Sequence, residues 1–342
     1  MKERGFAYLG YARRGNMGDE LLFDIFSKHL APRQLYLYPR TPRELVSYMG
    51  SLRPPRRPTL LLGGGTFIGG PWWRSHIERS SLLVQPAHVV MVGAGAMGSL
   101  AGQPGGESTA REIASWRSIL RRCDEVTVRG PLTQQLLADA GIDSEVVGDP
   151  ALLADLRPTT TVPRLLGITL GPTSGFRSAG AEEIITKIVD AVVTLEAHTA
   201  CWRVRVVGAN HEDAEVSAQL VERLTTADIE VEVTMAPDPQ AFADLIAPCD
   251  VFVGQRLHSV VVASVLGIPA LMLSYALKCD DFMASINRQR WTLPIDRLDA
   301  AAMSAMLVDL HVERAHHVAQ LEDETARLRI ELLAAFDAAR AS

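Results

Sequence analysis

Arg256 and His258, with only Leu257 between them, form the pair whose types and setting point most directly to chemistry. A guanidinium grips carboxylate or phosphate oxygens with a planar fork, and an unperturbed imidazole exchanges protons near neutral pH. Both lie in the stretch Asp250 to Lys278, DVFVGQRLHSVVVASVLGIPALMLSYALK. A short apolar run, Val251 to Val253, stops at Gly254, and an apolar segment of helical length, Ser259 to Leu266, closes at Gly267. After Pro269 a second apolar run covers Ala270 to Leu273. The pattern predicts strand, turn, helix, glycine stop and strand. It sets a cation and an imidazole at a strand's carboxyl end beside a helix N-terminus, where α/β proteins place ligands. A hydrogen-bonded cap is the plainer alternative for the histidine.

Other candidates follow the same strand-to-helix logic. Arg129 ends the predicted strand Glu125 to Val128, ahead of Gly130-Pro131 and a helix from Leu132 to Ala140. That place suits an anion grip, with a surface ion pair as the alternative. The strand Thr59 to Leu62 runs into Gly63-Gly64-Gly65, which implies positive φ or a close approach to the backbone. Gly64 and Gly65 are therefore phosphate or sugar candidates, although the loop lacks the lysine and spacing of a P-loop. Asn16, Gly18 and Asp19 precede a predicted helix from Leu21 to Leu30. A capped turn and a ligand-contacting loop fit them equally. Trp72, Trp73 and His76 fit either a sugar-stacking surface or a domain interface.

Gly93-Ala94-Gly95-Ala96-Met97-Gly98 matches G-x-G-x-x-G letter for letter, but its context argues against a dinucleotide site. Pro104 and further glycines prevent the required helix, and no acid ends the next strand. It reads as a loop after the strand Val89 to Val92. Asp149 followed by Pro150 is satisfied by helix capping.

These residues need strands and helices to hold them, and the chain supplies a repeating alternation. A polar, proline-bounded segment, Leu156 to Pro163, is the best linker. Beyond it the alternation restarts with a strand from Leu165 to Leu170 and the turn Gly171-Pro172-Thr173-Ser174-Gly175. The expected fold class is α/β: two Rossmann-like domains with mainly parallel sheets and a ligand cleft between them. The expected domains are residues 1–157 and 164–300. After a polar segment holding Asp281-Phe282 and Trp291, residues 301–342 are expected to form a long terminal helix packed on them.

Bulk properties exclude several classes. The 342 residues carry 34 basic and 40 acidic side chains, so the formal charge is 34 − 40 = −6, and no basic block marks a nucleic-acid partner. Four scattered cysteines and nine histidines show no metal-ligand spacing. No apolar run approaches the ~18–20 residues of a membrane span, and the N-terminal stretch lacks a signal peptide's apolar core. A cytoplasmic protein is expected, compatible with peripheral association at a membrane.

Taken together, GNMGDE (Gly15 to Glu20), LLLGGGTF (Leu60 to Phe67), VTVRGPLTQQLLADAGI (Val126 to Ile142), VGDPALL (Val147 to Leu153) and GQRLHSVVVASVLGIPALMLSYALKCDDF (Gly254 to Phe282) resemble the polysaccharide pyruvyl transferase family. The segments occur in the family's order. Gly130 departs from it, standing where the family usually has an acid. The resemblance implies a GT-B-like fold, with the first domain on the acceptor side and the second on the donor side. It also implies transfer of pyruvate from phosphoenolpyruvate to two hydroxyls of a sugar in a glycan or glycolipid, giving a cyclic ketal and phosphate. No cofactor is expected, and since no D-x-D dyad or metal cluster stands out, neither is a metal. On this reading Arg256 and His258 are catalytic. Arg129, Leu257, Tyr275, Lys278, Asn16, Asp19, Gly64 and Gly65 are substrate-binding candidates. Tyr275 fits an acceptor-side hydroxyl or the end of a buried strand. A GT-B glycosyltransferase using a nucleotide sugar is the main alternative, and a non-catalytic carbohydrate-binding protein a third.

Overall fold

A computed structural model describes residues 5–11, 15–30, 35–37, 57–172, 180–199 and 201–342. Thr173 to Gly175 of the turn expected after the first strand of the second domain lie outside the described residues. The chain divides into two compact units: Met1–Arg14, Asp19–Leu153 and Leu328–Ser342 form the first, and Gly15–Gly18 with Ala154–Arg327 the second.

Among the described residues, seven strands build the sheet of the first unit: β1 (Phe6–Leu9), β2 (Leu35–Leu37), β3 (Thr59–Gly63), β4 (Thr66–Ile68), β5 (His88–Ala96), β6 (Glu125–Val128) and β7 (Glu145–Val146). Their order is β2-β1-β3-β5-β6-β7, with β4 also on β5, and every pairing is parallel. Helices α1 (Met17–His29), α2 (Pro71–Val84), α3 (Gly106–Ser115), α4 (Arg117–Leu120) and α5 (Pro131–Asp139) come between the strands. The apolar runs are continuous rather than alternating because strands covered on both faces bury every side chain, as β1 and β3 do.

The second unit carries β8 (Leu165–Thr169), β9 (Arg203–Gly208), β10 (Glu230–Met235), β11 (Val251–Gly254), β12 (Ala270–Ser274) and β13 (Thr292–Pro294), all parallel in the order β10-β9-β8-β11-β12-β13. Its helices are α6 (Ala181–Thr199), α7 (Ala214–Thr226), α8 (Pro239–Ile246), α9 (Leu257–Val265), α10 (Leu277–Ser285) and α11 (Ala300–Val312). Helix α12 (Arg314–Ala341) belongs to this unit up to Arg327 and to the first unit from Leu328. Strand order reverses between β8 and β11, so the crevice rule for open parallel sheets points to their carboxyl ends.

Three sequence expectations change. The GAGAMG segment is mostly strand, since β5 runs to Ala96. Its glycines serve packing: a Cβ on Gly93 would lie 2.6 Å from Pro150, and one on Gly95 2.8 Å from Arg129 Nη1. The segment at Asp281-Phe282 is helix α10, with both side chains buried. The terminal helix breaks at Glu313, beside Arg314, whose guanidinium is drawn to Asp250 at 3.2 Å and Thr161 at 3.0 Å.

Candidate active site

Arg256 occupies the N-cap position of α9, directly beyond β11, and His258 lies in that helix's first turn. Leu257 between them is buried and anchors the turn. Ser259 fastens it further, its hydroxyl donating to the Arg256 carbonyl at 2.6 Å. The Gln255 side chain accepts from the Gly171 N–H at 3.0 Å, joining the ends of β8 and β11 at the point of strand-order reversal. Glycine at 171 lets the guanidinium lie against the end of β8, since a Cβ would fall 2.3 Å from Arg256 Nε in this position.

The guanidinium is held by a short 3-10 turn, His211–Asp213, that follows β9. Asp213 Oδ1 accepts from Arg256 Nε at 3.1 Å and also from Nη2, while Glu212 Oε1 lies 2.5 Å from the same Nη2. Nη1 makes no hydrogen bond among the described residues. Asp213 is fully buried, and its Oδ2 accepts from the Ala209 and Asn210 N–H groups at 3.0 and 2.9 Å. Glu212 is 60% exposed at its side chain. Burial alone would lower the Arg256 pKa, but the hydrogen bonds and charges of Asp213 and Glu212 raise it above the ordinary value, so it stays a cation.

Asn16 and the first turn of α1, which holds Gly18, meet this network within the second unit. Asn16 Oδ1 accepts from the Gly18 N–H at 3.1 Å, a capping contact. The Met17 N–H donates to Asn210 Oδ1 at 2.8 Å. His258 rests directly on Gly18, where a Cβ would fall 1.8 Å from Nδ1 and 2.3 Å from Cγ. Thus Met17, Asn210, Asp213 and Arg256 form one bonded series, with the imidazole packed beside its start. Sequence reasoning missed Asn210, Glu212 and Asp213. Their signal was the polar cluster NHED at the carboxyl end of β9.

Lys278 and Tyr275 flank the start of α10, with Lys278 Nζ 4.8 Å from the Tyr275 ring centroid. In the first unit, Gly64 and Gly65 adopt φ of +46° and +83° and turn the chain from β3 into β4. A Cβ on Gly64 would lie 3.0 Å from Leu22, so packing on α1 explains that glycine. Asp19 Oδ1 faces the open side of Gly65, 4.0 Å from where its Cβ would be.

Arg129 is revised. It is neither an open anion grip nor a surface pair, for its side chain and that of Asp149 are both 0% exposed. Its Nε lies 2.8 Å from Asp149 Oδ2, as an ion pair rather than an aligned hydrogen bond, and Nη1 donates to Thr66 Oγ1 at 3.0 Å. Nη2 has no hydrogen-bond partner among the described residues. Capping accounts for only one oxygen of Asp149, whose Oδ1 accepts from the Ala151 N–H at 2.9 Å.

Two parallel, Rossmann-like sheets with a polar cluster at a switch point define a GT-B-like α/β protein. Solved structures agree. The chain is similar to a protein described as a UDP-N-acetylglucosamine 2-epimerase from Listeria monocytogenes (TM-score 0.59, 11% identity, 94% of this chain and 91% of that one). It is also similar to MnaA of S. aureus in a structure with UDP (0.57, 11%, 96% and 92%). A third is the UDP-GlcNAc 2-epimerase of Neisseria meningitidis bound to UDP-GlcNAc (0.54, 11%, 93% and 94%). At such identity the likeness is one of fold. The family model for polysaccharide pyruvyl transferase matches residues 16–276, and the chain belongs to that family. No curated protein matches it. The matched span runs from Asn16 to just past Tyr275, enclosing Asn210, Asp213, Arg256 and His258. No described helix is long and apolar enough to cross a membrane, and no group of three or more His, Cys, Asp or Glu among the described residues could hold a metal.

Proposed function

We propose that the protein transfers pyruvate from phosphoenolpyruvate to two hydroxyls of a sugar in a glycan or glycolipid, forming a cyclic ketal and releasing phosphate. The observation carrying this reading is the Arg256–His258 pair at the switch point, with its cation kept charged by Asp213 and its imidazole seated on Gly18. Arg256 takes an anionic group of the donor. Nη1 is open to it, and exposed Glu212 yields Nη2 while Asp213 keeps the guanidinium in place. The N–H groups at the start of α9 add partial positive charge, and Lys278 a further cation.

In the reaction, C3 of phosphoenolpyruvate gains a proton, which makes C2 electrophilic. One sugar hydroxyl bonds to C2, the C2–O bond to phosphate breaks, and the second hydroxyl closes the ring. Of the two hydroxyl protons lost, one balances the new methyl group and the other leaves with phosphate. His258 moves protons in this sequence, a role typically worth ~10²–10⁴ in rate. In this reading Arg129 shapes the turn after β6 through its pair with Asp149, and Tyr275, Asp19 and Gly65 remain acceptor-side candidates.

The test is to incubate the chain with phosphoenolpyruvate and a panel of hexose-terminated acceptors, following phosphate release and acceptor mass. Phosphate with a pyruvyl ketal product is expected, falling at least ~10²-fold in folded Arg256→Ala and His258→Ala variants. Turnover only with a nucleotide sugar, or undiminished phosphate release in both variants, sinks the assignment.

A further inference from the structure

A second polar site lies in the second unit, at the other end of its sheet. It is a cavity of about 230 Å³ beside the segment leading into β13, lined by Arg288, Arg290, Trp291, Asp309, His317 and Gln320 among others. The Arg256–His258 pair sits at the carboxyl ends of parallel strands, whereas Arg288 to Trp291 precede β13 at its amino end.

Arg288 is 4% exposed and makes no ion pair among the described residues. Its Nη1 donates to Gln320 Oε1 at 2.8 Å, and its Nη2 lies 3.1 Å from His317 Nδ1. A guanidinium can only donate, so Nδ1 must accept and the imidazole proton resides on Nε2. That Nε2 is buried and has no hydrogen-bond partner among the described residues. The nearest carboxylate oxygen, Asp309 Oδ1, is 4.0 Å away, and Asp309 is already bonded to Arg290 at 3.0 Å. Asp309 and Glu313 also line the cavity, and Asp309 partly offsets the Arg288 charge, but no carboxylate pairs with that guanidinium among the described residues, and the His317 N–H has no acceptor among them. Leaving both dry and unpaired is costly. Burial and then Arg290 lower the Arg288 pKa to about 10, and burial and then Arg288 lower that of His317 to about 4. A metal ion does not fit, because two arginines repel it and the Nε2 lone pair is taken by a proton.

We propose that this cavity binds a small tetrahedral oxyanion, inorganic phosphate or a phosphate monoester, through Arg288, Arg290 and His317 Nε2. Oxygens that only accept would match donors that only donate, and Trp291, beneath both guanidinium groups at 5.3 and 4.5 Å, fixes their planes. The site is independent of the proposed transfer reaction and uses none of its residues.

The experiment is calorimetric titration of the full chain with inorganic phosphate and, separately, glucose 6-phosphate, in an Arg256→Gln background that removes anion binding at the R-L-H segment. Saturable binding is expected to persist there and to weaken at least about tenfold when His317→Ala is added, the loss of one charge-assisted hydrogen bond. Arg290→Gln alters an exposed side chain, leaves folding intact and should also weaken binding. Tighter binding of glucose 6-phosphate than of phosphate identifies a monoester as the natural occupant, and the reverse identifies the free ion. No saturable heat in the Arg256→Gln chain, or binding unchanged by both His317→Ala and Arg290→Gln, overturns the proposal and leaves a cavity filled by water.

Discussion

Arg129 and Arg256 occupy the same place in two different sheets. Each follows a parallel strand, each precedes a helix start, and each meets an aspartate from another element. They differ in closure. Arg129 and Asp149 are sealed on every side, with Gly95 admitting no Cβ above the guanidinium. Arg256 is 18% exposed, held from below by buried Asp213 and from outside by exposed Glu212. A sealed pair has no free face for a ligand and acts on the fold; a pair with one displaceable acid stays charged, oriented and accessible.

The sharpest way to break this contrast is to remove each cation in turn. Arg129→Met should cost roughly 3–5 kcal/mol of stability, because the fully buried Asp149 carboxylate loses the guanidinium that offsets its charge. Arg256→Met should cost less stability, since Asp213 keeps its two backbone N–H donors and the site is partly open to water, but it should abolish turnover. Denaturant midpoints and phosphate release on the two variants decide the matter, and equal stability losses would erase the distinction. A third buried group extends the test. His317 is held neutral, with its pKa lowered from 6.5 to about 4 by burial and Arg288, so the unfolded chain takes up a proton first as pH falls. Stability should therefore drop between pH 6.5 and about 4, by up to roughly 3 kcal/mol, and level off below. His317→Gln should flatten that slope in unfolding curves measured from pH 7 to 4.

On the open side, Gly18→Ala should displace the His258 ring and lower turnover by ~10², with stability changed little. Normal turnover in that variant would mean that the ring's seat is irrelevant. The smallest effects separate the two acids. Asp213→Asn should raise the KM for phosphoenolpyruvate by about tenfold, since a positioned charge-assisted contact is lost. Glu212→Gln should shift it by less than about fivefold, the scale of an exposed pair. If the order reversed, the exposed glutamate would be the one that orients Arg256.

The stretch from Asp250 to Lys278 was legible almost residue by residue, because glycines stop its apolar runs where strand and helix end. The alternation of elements likewise disclosed two parallel sheets. What surrounds the motif was not legible. Asp213 reaches Arg256 across 43 residues only because β9 lies beside β8 and β8 beside β11, an order that no local pattern specifies. The GAGAMG glycines misled for a related reason. They make room for Arg129 and Pro150, which arrive from elsewhere in the chain. Burial was the other hidden variable, since Arg129 and Arg256 carry the same local signature.

The division of α12 between the units bears on how the chain is made. Leu328, Leu332 and Phe336 are fully buried parts of the first unit, and Phe336 lies 5.0 Å, ring to ring, from Phe26. Arg329 donates to the Leu152 carbonyl at 2.6 Å. A ribosome reaches these residues only after the whole second unit has been translated. The usual order, in which an N-terminal domain matures while the rest is still being synthesised, is therefore reversed. The second unit is complete first, and the N-terminal sheet waits for the last helical turns before its core is complete.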